Sequence, residues 1–184
     1  SVVAAASFAS KIIKRAGGFS ARVHQRQMIG QVALYDVADV DATLAAITDQ
    51  TDFLLERANA AHPSIVKRGG GARDITTAIK EDFLIVYLHV DVQEAMGANI
   101  LNTMLEALTT PLEELTGGQS LMAILSNYAT DSLVTASCRI PISTLSTNPV
   151  TARETAEKMA LASQLAQADP YRAATHNKGI FNGI

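Results

Sequence analysis

The last sixteen residues of the chain concentrate side chains that could do chemistry. They read DPYRAATHNKGIFNGI and bring Arg172, His176, Lys178 and Asn182 within eleven positions. A lysine ammonium held in a desolvated cleft can stabilise the negative charge that develops on a carbonyl oxygen. One straight helix cannot aim all these side chains the same way, so we expect a break near Gly179 that redirects Lys178. Composition alone favours a blander reading, in which Lys178 is a solvated surface lysine and His176 a structural hydrogen-bonding residue.

A second stretch, DVQEAMGANILNTMLE at residues 91–106, joins an apolar strand-like run to a helix-like one. Met96, Ile100 and Met104 recur every four residues, which is typical of one apolar helix face. Gly97 interrupts this helical pattern, and a glycine within a helix lowers its stability by about 1 kcal/mol relative to alanine. The glycine could let a ligand's anion approach the backbone N–H groups at a helix N-terminus. It could equally let another element pack closely, and the sequence leaves both readings open.

A third stretch, KRGGG at residues 67–71, is a basic glycine turn. Such a turn could cradle a phosphate, although it lacks the spacing of a P-loop or of a dinucleotide fingerprint. A plain hairpin turn is the alternative. No G-x-G-x-x-G occurs anywhere in the chain, so the sequence does not support a standard Rossmann domain.

Hydrophobic periodicity and turn signals predict the elements that must position these stretches. The predicted helices cover 1–15, 41–60, 96–116, 148–168 and a segment starting at Asp169-Pro170, and the predicted strands cover 28–37, 72–80, 83–92, 121–126 and 133–140. Between residues 28 and 140 the order is therefore β-α-β-β-α-β-β. This order predicts an α+β fold, a ferredoxin-like antiparallel sheet with one added strand. Small-residue helices on both sides indicate that residues 27–140 form a domain inserted into a mainly helical domain of residues 1–26 and 141–184.

Composition narrows the class of protein. With 48% hydrophobic and 18% charged residues the chain is globular, and no apolar run approaches the roughly 20 residues that span a bilayer. The net charge of −3 argues against a nucleic-acid binder. Cys138 is the only cysteine, so no cysteine-based metal site is expected, and its alternation with apolar neighbours predicts a buried small hydrophobe. The first residues lack the basic leader of a signal peptide, and we expect a soluble, cytoplasmic protein.

Taken together, these stretches resemble the bacterial-type (class II) 3-hydroxy-3-methylglutaryl-CoA (HMG-CoA) reductases. The strings EAMGAN and THNKG are the most specific to that family. The matching strings, in the family's order, are SVVAAAS at 1–7, GGGARDI at 69–75, VDVQEAMGANILNTMLE at 90–106, TGGQ at 116–119, ILSN at 124–127 and DPYRAATHNKGIFNGI at 169–184.

The resemblance implies reduction of the HMG-CoA thioester to mevalonate and free CoA by two hydride transfers from a nicotinamide cofactor. It makes the inserted domain the cofactor domain and the helical segments part of the substrate domain. It implies that Lys178 is the catalytic lysine, which polarises the thioester carbonyl and stabilises the oxyanions. The remaining site residues implied are Ser1, Arg172 and Asn182 for the substrate and His62, Glu94, Met96, Asn99 and Asn127 for the cofactor; many relatives carry aspartate in place of Glu94.

The resemblance also bears on cofactor choice and completeness. His62 matches the family's selectivity position, and with Lys67 and Arg68 nearby it would not repel a 2′-phosphate, so NADP(H) is favoured and NAD(H) is possible. The family's catalytic glutamate precedes Ser1, and its catalytic aspartate and histidine follow Ile184. We therefore expect an internal fragment that by itself binds cofactor at best, and an active site that a homodimer or higher oligomer completes.

Two other classes of protein compete with this interpretation. One is a non-catalytic ferredoxin-like ligand-binding or regulatory domain, which fits the order of elements and the missing acidic groups. The other is an unrelated NAD(P)-dependent oxidoreductase. Neither explains the THNKG string, whereas the reductase interpretation uses it.

Overall fold

The computed structural model describes all residues from 1 to 184. The fold is α+β, as the sequence predicts, with antiparallel sheets. The chain divides into two compact units: Val23–Val134, which we call the sheet unit, and Ser1–Arg22 with Thr135–Ile184, which we call the helical unit. None of the helices combines the length and the apolar character that crossing a membrane requires.

The elements follow one another along the chain as helices, strands and one short 3₁₀ turn at Ile142–Thr144. The strands are β1 (Ser20–Arg26), β2 (Met28–Tyr35), β3 (Gly71–Lys80), β4 (Phe83–Asp91), β5 (Gln119–Leu125) and β6 (Ser132–Ser137). The helices are α1 (Val2–Arg15), α2 (Val40–Asp49), α3 (Thr51–Ala61), α4 (Pro63–Lys67), α5 (Ala98–Thr116), α6 (Pro149–Ala168) and α7 (Pro170–Gly183).

The sheet unit is built on a four-stranded sheet in the order β3-β4-β2-β5. Every neighbouring pair is antiparallel, and β3 and β4 form the predicted hairpin. This is the strand order of the ferredoxin-like arrangement. Alternate residues of β4, from Leu84 to Val90, are buried in the core, because successive strand residues point to opposite faces.

Helix α5 supplies the largest part of the core of the sheet unit. Its fully buried residues recur every three or four positions, as expected for one helix face: Leu101, Met104, Leu105, Leu108 and Leu112. Each fully buried side chain of this size contributes about 1.5–3 kcal/mol. The helix lies so close to β2 that a Cβ at Gly30 would collide with Leu101 and Leu105.

The predicted helix over 41–60 is wrong in its continuity. It is two helices, α2 and α3, separated at Gln50, whose backbone (φ −102°, ψ 13°) departs from helical values. Neither glycine nor proline marks this position, so the sequence carries no signal for the break. The short helix α4 was also missed, although Pro63 occupies the first-turn position that proline favours.

The prediction that the last strand, β6, is added to the main sheet is wrong. β6 pairs with β1, a strand that the sequence did not indicate, in a separate two-stranded sheet. The backbone N–H of Gln27 donates to the carbonyl of Asp131 (2.8 Å), and the Ser132 hydroxyl donates to the Gln27 carbonyl (2.9 Å). These bonds join the start of β6 to Gln27, the residue between β1 and β2, next to the strand with which β6 pairs.

The helical unit confirms the predicted capping. The Asn148 side chain accepts hydrogen bonds from the first N–H groups of α6, and the Asp169 side chain does the same for Tyr171 in α7. The predicted break near Gly179 is wrong, since α7 continues to Gly183. Cys138 is exposed rather than buried, because β1 and β6 are exposed along their whole length and alternation there does not mark a buried face.

Candidate functional site

The strand register brings three connecting segments to one edge of the four-stranded sheet. Gly71 at the start of β3 lies opposite Asp91 at the end of β4. Gly30 near the start of β2 lies opposite both Leu88 and Leu125, so β5 also ends at this edge. We call the segments that meet here, residues 69–71, 91–99 and 126–131, the glycine-turn edge. It contains Glu94, Met96, Asn99 and Asn127, four of the five cofactor residues implied by the resemblance.

Close backbone packing explains the glycines of the turn. A Cβ on Gly70 would collide with the carbonyl oxygen of Asp91 and crowd the Gln93 side chain. Gly71 has a φ of +114°, a left-handed value that favours glycine. The turn connects α4 to β3, so the hairpin alternative is wrong.

The carboxylate of Asp91 orders the segment that leaves β4. It accepts hydrogen bonds from the backbone N–H and the side-chain amide of Gln93, each at 2.9 Å. The Arg73 guanidinium lies 3.7 Å from the same carboxylate and donates to the carbonyl of Gly69. The glycine turn and the segment after β4 are therefore tied together through one acidic side chain.

Glu94 is paired with a base. Its carboxylate accepts a hydrogen bond of 2.8 Å from the Arg26 guanidinium. Because the Glu94 side chain is 89% exposed, such a pair contributes less than about 1 kcal/mol to stability. Its effect is to orient Glu94, and it leaves Met96, which is 76% exposed, as the largest apolar surface of this segment.

Gly97 starts α5 with a φ of +90° and is buried. A Cβ at this position would meet the Met28 sulfur and the Val92 side chain. Close packing therefore explains the glycine without any ligand. The first N–H groups of α5 still have no partner within the helix, and Asn99 lies exposed in that first turn.

Asn127 lies in the loop between β5 and β6. The loop begins with the N–H of Ser126 donating to the carbonyl of Ile29 at 2.8 Å. One residue earlier, the N–H of Leu125 donates to the side chain of Asn102 in α5 at 3.0 Å. These bonds place the loop near the first turns of α5, where Asn99 lies.

His62 lies at the junction of α3 and α4, and its Nδ1 is 3.2 Å from the Ser64 hydroxyl. The corner is fixed to the glycine-turn edge by Asn59, whose side-chain amide makes two hydrogen bonds to the backbone of Ala72, at 2.8 and 3.3 Å. Sequence reasoning missed this role of Asn59. Lys67 and Arg68 are exposed between His62 and the glycine turn.

The helical unit holds the substrate and catalytic candidates. A groove of about 500 Å³ runs between α1 and α7 and is lined by Arg172 and His176 together with small and apolar residues. Lys178 and Asn182 are exposed and do not line this groove. They are four residues apart on an unbroken helix and so share a different face. Ser1 directly precedes α1. The first residue of α1, Val2, lies against Gly183 of α7.

A polar cluster that sequence reasoning did not single out lies in the sheet unit. The Nε2 atom of His89 is 2.9 Å from the Thr76 hydroxyl, and its Nδ1 atom is 2.8 Å from the Asp131 carboxylate. Thr76, His89 and Asp131 are separated along the chain, and His89 sits inside an apolar strand, so no spacing signal could have connected them.

Comparison with known proteins shows the family to which this chain belongs. The sequence profile described as hydroxymethylglutaryl-coenzyme A reductase matches residues 1–184. The chain belongs to this family. It is 39% identical over 188 residues to 3-hydroxy-3-methylglutaryl-coenzyme A reductase of Archaeoglobus fulgidus, with 100% of this chain and 42% of the relative covered. It is 28% identical over 186 residues to a probable reductase of the same name from Borreliella burgdorferi, again with 100% and 42% covered.

The solved structures give the same family. The class II reductase of Streptococcus pneumoniae, bound to NADPH in open conformations, superposes with a TM-score of 0.93 and 71% identity over 99% of this chain and 50% of that one. Another structure of the reductase from the same organism gives the same TM-score and identity, with 44% of its chain covered. This chain therefore spans about half the length of these relatives or less.

Proposed function

We propose that this chain supplies the cofactor domain and part of the substrate domain of a class II HMG-CoA reductase that uses NADP(H). The observation that carries the proposal is the glycine-turn edge, where one end of a ferredoxin-like sheet gathers Glu94, Met96, Asn99 and Asn127. These are four of the five residues that the resemblance implies for cofactor binding; the fifth, His62, lies at the junction of α3 and α4. The boundaries that we propose for the cofactor domain are residues 27–140, between substrate-domain segments 1–26 and 141–184.

The residues at this edge fit a nicotinamide dinucleotide phosphate. Met96 offers an exposed apolar surface to a flat ring, and the first N–H groups of α5 suit an anionic phosphate. His62, Lys67 and Arg68 lie in the segment that leads to the glycine turn. Neither Lys67 nor Arg68 forms an ion pair in this structure. A 2′-phosphate would gain charge-assisted hydrogen bonds from such bases. The S. pneumoniae relative is the one bound to NADPH, which supports NADP(H) over NAD(H).

NADPH would supply one hydride and a second NADPH molecule the next, since reduction of a thioester to an alcohol takes two hydrides. The chain's own residues have separate roles. Arg26 orients Glu94 at the edge, and Asp91 holds the segment that carries Met96. In the helical unit Lys178 would donate a hydrogen bond to the thioester oxygen and stabilise the negative charge that develops there. Ser1, Arg172 and Asn182 would bind the hydroxymethylglutaryl group or CoA.

We also propose a homodimer or higher oligomer acting in the cytoplasm. Support for an oligomer comes from large apolar side chains that stay exposed in the helical unit, such as Leu161 at 62% and Phe181 at 80%. A lysine ammonium in solvent stabilises a developing negative charge only weakly, whereas the same group in a water-excluded cleft stabilises it much more. A partner surface that covers α7 would provide that cleft around Lys178.

The test is NADPH oxidation with HMG-CoA by the full-length protein that contains this sequence. We expect mevalonate and free CoA as products, and a Lys178→Ala variant that loses about 10²–10³-fold in kcat because one oxyanion donor is removed. Lys158→Ala is the matched control, since Lys158 is an exposed lysine of α6. Undiminished turnover in Lys178→Ala would contradict the role of the lysine. Absence of turnover and of NADPH binding in the unmutated protein would favour a non-catalytic ligand-binding or regulatory domain.

A further inference from the structure

We propose that His89, held between Thr76 and Asp131, is a positioning residue that fixes the loop 126–131 and thereby sets Asn127 for cofactor binding. This inference rests on the proposed function, because it concerns the NADP(H) site at the glycine-turn edge. The three residues come from three different segments of the sheet unit: β3, β4 and the end of the loop.

Both nitrogens of the His89 ring are used. In the neutral ring the Nδ1–H group donates to the Asp131 carboxylate at 2.8 Å, and Nε2 accepts from the Thr76 hydroxyl at 2.9 Å. The ring cannot turn over without losing one of the two bonds. The side chains of His89 and Asp131 are only 13% and 24% exposed, so this hydrogen bond to a charged group is partly shielded from water and from salt.

The loop has few other side-chain anchors. Its ends are held by backbone bonds, from Ser126 to Ile29 and from Gln27 to Asp131, both at 2.8 Å. Between those ends no residue is buried, and Tyr128 is 80% exposed. The bond from Asp131 to His89 is therefore the link that ties the loop to β4.

Strand β4 connects this link to the rest of the glycine-turn edge. Two residues after His89 comes Asp91, whose carboxylate orders Gln93 and so the segment that carries Glu94 and Met96. His89 thus fixes the loop of Asn127 to the strand that positions the other cofactor candidates. Without this bond the loop would have to be ordered when the cofactor binds, and that cost would appear as weaker binding.

There is room beside the ring for a substituted side chain. An open cavity of about 250 Å³ lies beside it, lined by Tyr87, Tyr128 and Thr130 among others. A substitution that removes the hydrogen bonds can therefore be accommodated without disturbing the core. This separates a positioning role from a purely structural one.

The experiment measures the Kd of NADPH, from its own fluorescence, and the steady-state constants of the full-length protein with the variants His89→Phe, Asp131→Ala and Asp131→Asn. We expect the first two to weaken NADPH binding about tenfold, as loss of a hydrogen bond to a charged group would, with the KM for HMG-CoA unchanged. Asp131→Asn keeps an acceptor for Nδ1–H and should restore most of the affinity. The double variant His89→Phe with Asp131→Ala should bind NADPH no more weakly than His89→Phe alone, because the bond between His89 and Asp131 is already absent there.

Tyr128→Phe is the control, since it removes a hydroxyl from the same loop and leaves the His89 contacts intact. The inference would be overturned, and the proposed function left standing, if His89→Phe and Asp131→Ala bound NADPH within about twofold of the unmutated protein. Such a difference is worth well under 1 kcal/mol. An equal loss in every kinetic constant together with a lower Tm would also overturn it, by showing a structural role. If the unmutated protein fails to bind NADPH, the proposed function falls and the inference falls with it.

Discussion

The two units of the chain differ most in what they bury. Every buried apolar side chain except Ala152 lies in the sheet unit, where α5 packs against the sheet. The helical unit contains α1, α6 and α7, yet it leaves side chains such as Leu161 and Leu165 more than half exposed. Helices of this kind obtain most of their stability from packing of an apolar face, and here that face has little to pack against within the chain.

The difference has a consequence for function. In the sheet unit a core fixes the strands, the strands fix the glycine-turn edge, and side chains such as Asp91 and Asn59 make specific hydrogen bonds there. In the helical unit Lys178 and Asn182 sit exposed on α7. The sheet unit therefore holds its candidate cofactor residues in place by itself, whereas Lys178 would need a further surface to become desolvated in the catalytic role proposed for it.

The largest expected effect contrasts a core residue of the sheet unit with an apolar residue of the helical unit. Leu105→Ala removes a side chain that is fully buried, and we expect a loss of about 2–5 kcal/mol in the free energy of unfolding. Leu165→Ala changes a side chain that is 54% exposed, and we expect a change within about 0.5 kcal/mol. Urea unfolding of the 184-residue chain, followed by circular dichroism, measures both. Similar losses in the two variants would contradict the comparison.

A matched pair of glycines tests whether packing, rather than backbone strain alone, shapes the glycine-turn edge. Gly97 and Gly117 both have positive φ, but a Cβ at Gly97 would collide with Val92 and Met28 whereas a Cβ at Gly117 meets nothing within 4 Å. Gly117→Ala should cost about 1–2 kcal/mol from the left-handed conformation. Gly97→Ala should cost a further 1–3 kcal/mol, roughly, from overpacking. Equal losses in thermal or urea unfolding would show that the close contact at Gly97 carries no energy.

The sequence predicted the sheet unit well because periodicity and turn residues are local signals. Strands β2 to β5 and helix α5 follow from hydrophobic patterns, and the caps at Asn148 and Asp169 follow from their proline neighbours. The break at Gln50 and the pairing of β1 with β6 could not be predicted, since neither has a turn residue or a buried face to mark it. The candidate cofactor residues came from resemblance. What gathers them is strand register, which one strand's sequence does not reveal.

A smaller effect compares helix caps in the two units. Asp39 caps α2 in the sheet unit and Asn148 caps α6 in the helical unit, each through side-chain hydrogen bonds to the first turn. Either change to alanine removes about 0.5–2 kcal/mol of local stability. Asp39→Ala should lower the free energy of global unfolding, because α2 belongs to the cooperative core. Asn148→Ala should instead speed hydrogen exchange in the first turns of α6 and leave global unfolding unchanged. A shift in global unfolding from Asn148→Ala would mean that the helical unit is cooperative with the sheet unit.

The smallest expected effect concerns Glu113 at the far end of α5. The hydroxyl and then the backbone N–H of Ser120 donate to its carboxylate, at 2.6 and 2.8 Å, and lower the pKa of Glu113 below its usual value. A lowered folded pKa adds stability that is present above the unfolded pKa and is lost as the pH falls through the folded pKa. Ser120→Ala should raise the pKa of Glu113 and flatten the dependence of stability on pH across that acidic window. An NMR titration of Glu113 checks the direction, and an unchanged pKa would exclude the Ser120 hydroxyl as its main cause.

The most direct test of the sheet unit as the cofactor-binding unit is hydrogen exchange of the full-length protein with and without NADPH, read by mass spectrometry. We predict that NADPH slows exchange in the glycine-turn edge, at residues 69–71, 91–99 and 126–131, and in the corner that carries His62. The opposite end of the sheet, around Glu81 and Glu113, should be unchanged. Protection that avoids the glycine-turn edge and falls only on α1 or α7 would contradict the assignment.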